Sequence, residues 1–201
     1  MREIYPLFSQ PIYVNTENAD KEFTEALEYC KTIKYIVNSG GNLASLDRNI
    51  LDNPEFAEIK QIALDAIDHY TKNVMCWDSN EFYLTQSWAN VNSKDTRHAM
   101  HYHLNSVVSG VFYLQTLEHD SITFHSDTKP MIDIKRSNFN MWNSGSWEVP
   151  IRQNTVVVFP SMVTHSVNVN NTDTNRISIA FNTFVRGKLG EEESLTLLDL
   201  K

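Results

Sequence analysis

The sequence predicts a mainly β protein, an antiparallel architecture that is closed or sandwiched, with two bracing helices ahead of it. Two observations carry this. Up to about Val74 the apolar residues recur at helical spacing, and after Trp77-Asp78-Ser79-Asn80 the period changes from 3.6 to 2 and stays there. Beyond that point seven or eight short runs rich in aromatic and β-branched residues alternate with polar loops.

The elements follow in order. Residues 4–14 are apolar and aromatic with Pro6 and Pro11 among them, which suits an edge strand packed on a sheet. Phe23, Leu27, Cys30, Ile33 and Val37 mark the buried face of a first helix from Asp20 to about Val37, stopped at Asn38-Ser39-Gly40-Gly41, where glycine takes the left-handed conformation. A loop follows. Asn53-Pro54-Glu55 opens a second helix with an Asn cap, proline at the first helical position and an acidic residue near the positive end of the dipole. Phe56, Ile59, Ala63, Ile67, Tyr70 and Val74 form its stripe. Strands are expected at 81–91, 107–115, 121–125, 131–135, 147–151, 155–159, 166–169 and 176–185, and the tail 187–201 reads as a short helix or a solvated end.

A chain of 201 residues fits one domain, with a helical brace at about 17–76, a β core at about 80–186 and the tail after it. The formal charge of −8 and the scattered Lys and Arg argue against a nucleic-acid face. Cys30 and Cys76 have no paired spacing and read as core thiols of a reducing compartment. With no run of ~20 apolar residues and no apolar leader, the protein reads as soluble and cytoplasmic. Asn170-Asn171-Thr172 is then a chance match to a glycosylation acceptor.

Chemistry concentrates around His101-Tyr102-His103. Six of the seven histidines lie between His98 and His165, and residues i and i+2 of a strand share a face, so His101 and His103 can converge. His165, after the apolar run Val156-Val157-Val158-Phe159, offers a third ligand. Three protein ligands on one side suit an Fe(II) that keeps positions open for oxygen and an organic ligand. On the last strand Arg176 and Ser178 share a face and can hold a carboxylate together. His125-Ser126-Asp127 is a rival His-x-Asp pair. His98 and His119 are expected in loops and His69 on a helix face. Trp88, Asn90, Asn105, Trp142 and Trp147 are candidates to line a pocket, and residues 128–146 to form a lid.

The order His-x-His, Ser109-Gly110-Val111-Phe112-Tyr113-Leu114, Phe159-Pro160-Ser161 with His165 five residues after the proline, then Asn175-Arg176-Ile177-Ser178, resembles the 2-oxoglutarate/Fe(II) oxygenases of bacteria and tailed phages. The opening from Pro6 to Ile12 looks like that family's start. The resemblance, which extends to the prolyl hydroxylases, implies a double-stranded β-helix of the jelly-roll or cupin type. It makes His101 and His165 the firmest iron ligands. It also implies that Arg176 holds the far carboxylate of 2-oxoglutarate, that Tyr113 donates its phenol to the same group and that Ser178 completes the pattern. Position 103 departs from the superfamily, where a carboxylate is usual, so the third ligand is either His103 or a carboxylate such as Asp127. O2 and an organic substrate are the implied partners, with neither nucleic acid nor membrane, and a homodimer stays open. The location would be the host cytoplasm for a phage protein. Two other readings are a cupin-like three-histidine metalloenzyme without 2-oxoglutarate, and a non-enzymatic β-barrel binding or virion-associated module.

Overall fold

The computed structural model describes residues 1–77, 80–128 and 131–200. In chain order its elements are β1 (Tyr13–Asn15), α1 (Thr24–Thr32), β2 (Tyr35–Val37), β3 (Leu43–Ser45), α2 (Ala57–His69), β4 (Glu81–Asn92), β5 (His98–His101), β6 (Val108–Gln115), β7 (Asp120–His125), β8 (Ser146–Ile151), β9 (Val156–Pro160), β10 (His165–Val167), β11 (Arg176–Leu189) and β12 (Leu198–Leu200). Among the described residues they form an eight-stranded sheet, β1-β9-β6-β11-β4-β3-β2 with β12 on β11, and a four-stranded sheet, β5-β10-β7-β8. All these pairings are antiparallel. The central neighbours β9-β6-β11-β4 and β5-β10-β7 are far apart in the chain, as in a jelly roll, whereas β2-β3, β3-β4, β7-β8 and β11-β12 are consecutive.

The major sheet is covered on both faces, so its strands are not simply half polar. Ala89, Val91, Phe112, Leu114, Val156, Val158, Ile177, Ile179 and Phe181 pack with the buried stripe of the helices, including Ala26, Cys30, Phe56, Ile59, Ala63, Ile67 and Tyr70. The alternate residues Tyr113, Val157 and Phe159 turn the other way and pack with Ile122, Phe124, Ile151 and Val163. Strand periodicity therefore separates a helix-facing core from an interior between the sheets.

Several expectations are corrected. The edge strand is only Tyr13–Asn15, paired with β9; Ile4, Tyr5, Leu7 and Phe8 before it are exposed. The first helix ends at Thr32, not Val37, because Ile33 is already extended and Tyr35-Ile36-Val37 pairs with Leu43-Ala44-Ser45 across the Asn38–Asn42 turn. Tyr35 Oη donates to the Cys30 carbonyl, satisfying one of the acceptors a helix end leaves free. The expected loop after that turn holds β3 and a short 3-10 turn at Ile50–Asp52. Asn53 does not cap with its side chain, whose amide donates to Asp47 and to the Ile50 carbonyl; a 3-10 turn, Pro54–Phe56, leads into α2. Residues 131–135 form no strand, His98–His101 does, and the tail adds β12 to the end of β11. Cys30 is buried, with its thiol pushed up to about 12 by burial, whereas Cys76 is exposed. No helix among the described residues is long and apolar enough to cross a membrane.

Gly110 sits opposite Phe181 on β11, and a Cβ there would lie 2.3 Å from the Phe181 ring and 2.8 Å from the Val157 carbonyl oxygen. The glycine lets a cross-strand aromatic ring cover the backbone. Gly110→Ala is expected to cost about 1–3 kcal/mol by overpacking. Urea unfolding of the two proteins measures it, as a lower midpoint at unchanged slope.

Candidate active site

β5 and β10 are neighbours in the minor sheet, with His101 directly opposite His165. After His101 the chain leaves the sheet. The His103 amide donates to the Ser161 carbonyl at 2.9 Å, and Ser161 Oγ in turn bonds Ser106 Oγ and Ser109 Oγ, each at 2.7 Å. Ser109 also donates to Asn182 Oδ1 at 2.8 Å. This hydroxyl chain folds residues 102–107 back over the sandwich. His103 therefore joins the other two from a loop rather than from the strand position that the i, i+2 argument gives it.

One nitrogen from each of His101, His103 and His165 lies within 4.8 Å of the other two, and the rings of His103 and His165 are parallel to within 5°. Nδ1 of His101 lies 2.7 Å from the Ala99 carbonyl and Nδ1 of His165 lies 2.9 Å from that of Val163. A carbonyl only accepts, so both Nδ1 atoms carry the proton and both Nε2 lone pairs are free. His103 Nε2 lies 3.4 Å from His165 Nε2, with the Trp88 ring tilted over it. Burial first, and the neighbouring imidazoles second, push His103 down to about 4 and His165 to about 2; burial also lowers His101, opposed by its bond to Ala99. The rings are neutral at physiological pH.

The major sheet supplies the other wall. Asn90, Ser178 and Tyr113 lie side by side across β4, β11 and β6, and Arg176 is one alternation further along β11. With the three histidines, His98 and Trp88 they line one cavity. Arg176 Nε donates to Asp120 Oδ2 at 2.8 Å, in a pair whose side chains are 2% and 4% exposed. The Arg176 guanidinium carbon stands 5.0 Å from the Tyr113 ring centre. Buried Arg176 Nη2, Tyr113 Oη and Asn90 Oδ1 have no partner at good hydrogen-bond geometry in the protein, although the guanidinium lies close enough to the Tyr113 phenol to interact with it.

The family described as "Putative 2OG-Fe(II) oxygenase" matches residues 86–182. Over that stretch, which carries His101, His103, His165 and Arg176, the chain is similar to the 2OG-Fe(II) oxygenases. Among curated proteins none matches the sequence. Solved structures share the fold of this chain. A Pseudomonas putida prolyl-4-hydroxylase is 15% identical, over 89% of this chain and 95% of its own, with a TM-score of 0.57. A 2OG-Fe(II) oxygenase family oxidoreductase from Burkholderia pseudomallei is 13% identical over 86% and 83%, with a TM-score of 0.59. HygX from Streptomyces hygroscopicus, solved with nickel, 2-oxoglutarate and hygromycin B, is 15% identical over 87% and 82%, at 0.55. The architecture is thus the double-stranded β-helix of this family.

This chain's own residues fit a metal ion and 2-oxoglutarate, the groups bound in the HygX structure. Three neutral imidazoles with converging lone pairs suit a divalent metal. Two orphaned buried donors, a phenol and a guanidinium nitrogen, suit a carboxylate, since a buried donor left unpaired costs about 1–3 kcal/mol. The arginine offers less than the full fork, because its Nε edge already belongs to Asp120.

Other candidates lie elsewhere. His125 Nε2 bonds Ser166 Oγ at 2.8 Å, and exposed Asp127 meets only Thr164 Oγ1, so the rival pair is outside the histidine cluster. Asn105, Trp142 and Trp147 are exposed; His119 is an exposed turn residue, and His69 stacks on Tyr13. The expected lid leaves β7 next to His165, where the His125 amide donates to the Thr164 carbonyl; Lys129 and Pro130 within it lie outside the described residues. His98 is not in a loop. It lies on β5, stacks on His101 with centroids 4.4 Å apart, and is pushed down to about 3 by burial and then by His101. His98 and Asp120 are the site residues that sequence reasoning missed. A buried arginine implies a counter-charge, and Asp120 at the head of a strand is where one could have been sought.

The convergence predicts that His101→Ala, His103→Ala and His165→Ala each lose stoichiometric Fe(II), whereas Asp127→Ala keeps it. Anaerobic equilibrium dialysis with iron quantification measures this. Full iron in His103→Ala, or its loss in Asp127→Ala, would return the third ligand to the carboxylate.

Proposed function

We propose that the protein uses Fe(II), O2 and 2-oxoglutarate to hydroxylate an organic substrate, with release of succinate and CO2. The observation that carries this reading is the meeting, in one cavity, of three converging imidazole nitrogens with two unpartnered carboxylate donors. In it His101, His103 and His165 hold the metal, and Arg176, Tyr113 and Ser178 hold the distal carboxylate of 2-oxoglutarate. Bound Fe(II) would supply the activation of O2 that no amino-acid side chain provides.

The chain's own part is binding and orientation. The Ala99 and Val163 carbonyls fix the tautomers of His101 and His165, so neither ring needs to lose a proton to bind metal at neutral pH. Phe159, Phe124 and Trp88 pack around the imidazoles and keep water from that side. Asn90 Oδ1 is a free acceptor on the wall between the two ends. The whole chain acts as one oxygenase domain in the cytoplasm in this reading, which the two unpaired cysteines support. A three-histidine metalloenzyme without 2-oxoglutarate is the second reading, favoured by the all-imidazole cluster and by the prior claim of Asp120 on Arg176.

Titrating the iron-loaded protein with 2-oxoglutarate under anaerobic conditions separates the two, through a visible metal-to-ligand charge-transfer band. Tyr113→Phe removes one hydrogen bond to a charged group, about 1.5–3 kcal/mol, so its Kd should rise roughly tenfold to hundredfold. Arg176→Lys cannot reproduce the planar guanidinium and should bind more weakly while keeping iron. Iron-loaded wild type that takes up no 2-oxoglutarate leaves the second reading in front.

A further inference from the structure

We propose that Asp120 is a positioning residue for the cosubstrate: it aims Arg176 at the carboxylate. The inference rests on the reading that Arg176 receives a carboxylate of 2-oxoglutarate. Asp120 belongs to β7 of the minor sheet and Arg176 to β11 of the major one, so their 2.8 Å contact crosses the interior of the sandwich. The carboxylate is itself held: Oδ1 accepts from the Ser121 amide at 2.8 Å, leaving Oδ2 for Arg176 Nε. A guanidinium is planar, so fixing Nε and placing Cζ 5.0 Å from the Tyr113 ring centre determines where Nη2 points. Nη2 is the arginine atom left without a partner, and Tyr113 Oη is its unpartnered neighbour. Without Asp120 the guanidinium would keep only its packing against the Tyr113 ring.

The charges make the inference testable, because they act against the geometry. Asp120 neutralises Arg176 before any ligand arrives, so the incoming carboxylate must share a guanidinium that already has a counter-ion. If charge alone mattered, removing Asp120 would tighten 2-oxoglutarate binding in every variant. If Asp120 were only structural, every variant would bind more weakly, in step with lost stability. Positioning predicts a split. Asp120→Asn keeps an oxygen to accept from Nε and removes the competing charge, so it should bind 2-oxoglutarate at least as tightly as wild type. Asp120→Ala loses the acceptor, and its Kd should rise at least tenfold with iron still bound.

The experiment is an anaerobic 2-oxoglutarate titration of iron-loaded wild type, Asp120→Asn and Asp120→Ala, with iron content and thermal midpoint recorded for each. Formate, small enough for the space vacated in Asp120→Ala, should restore affinity to that variant and leave wild type unchanged. Asp120→Ala binding like wild type, or Asp120→Asn weakened tenfold, overturns the inference and leaves the oxygenase reading standing. Wild type that binds iron but no 2-oxoglutarate overturns both. Should Asp120→Ala fail to fold, Asp120→Leu, close in volume but with no acceptor for Nε, takes its place: its Kd should rise at least tenfold with iron still bound, and binding like wild type overturns the inference.

Discussion

The structure depends on one constraint, that the central strands of the major sheet are buried on both faces. β4, β6, β9 and β11 must satisfy the helices on one side and the minor sheet on the other, with side chains that alternate by single residues. The helix side is mostly apolar, and its buried Ser87 is satisfied by the Leu51 amide. The inner side is where polar and charged groups are tolerated, and there Asn90, Tyr113, Arg176 and Ser178 share a wall. A shift of one residue in β11 would bury Ile177 and Ile179 in the cavity and press Arg176 into the helices. Register and chemistry are therefore the same choice.

The interior is unusual in how much polarity it keeps. A buried arginine costs several kcal/mol unless it is paired, and Asp120 meets most of that need. On the cavity wall, Nη2 of Arg176, the phenol of Tyr113 and Oδ1 of Asn90 are left over. The histidine end follows the opposite rule. The Nδ1 donors of His101 and His165 are satisfied by carbonyls two residues back in the chain, which turns their Nε2 sides toward His103. One end of the cavity holds a surplus of donors, the other a surplus of acceptors.

Much of this was legible in the sequence, and the failures have physical causes. Val156-Val157-Val158-Phe159 and Arg176-Ile177-Ser178-Ile179 read as strands because burial on both faces leaves little else. His101, His103 and His165 were legible as a set, although the reason for His103 was wrong: a hydroxyl chain through Ser161, not the pleat, brings it in. The end of α1 was misjudged because Ile33 and Val37 continue its spacing by coincidence, although Ile33 is already extended and Val37 pairs with β3. Ile4, Tyr5, Leu7 and Phe8 are apolar but exposed, so composition alone misled there, while Ile12 does pack on the inter-sheet core. A counter-charge for Arg176 was to be expected, but which carboxylate meets it is fixed only once β7 crosses over β11.

The all-imidazole cluster has a consequence for metal selection. Three neutral nitrogen donors bring no charge of their own, and the affinity of such a site for divalent ions rises along the first-row series from iron through nickel to copper. Prealigned rings give little chance to reject the stronger binders by reshaping. Chain chemistry alone thus disfavours iron, and the ion carried in a cell is set by which metals that cell keeps in free supply.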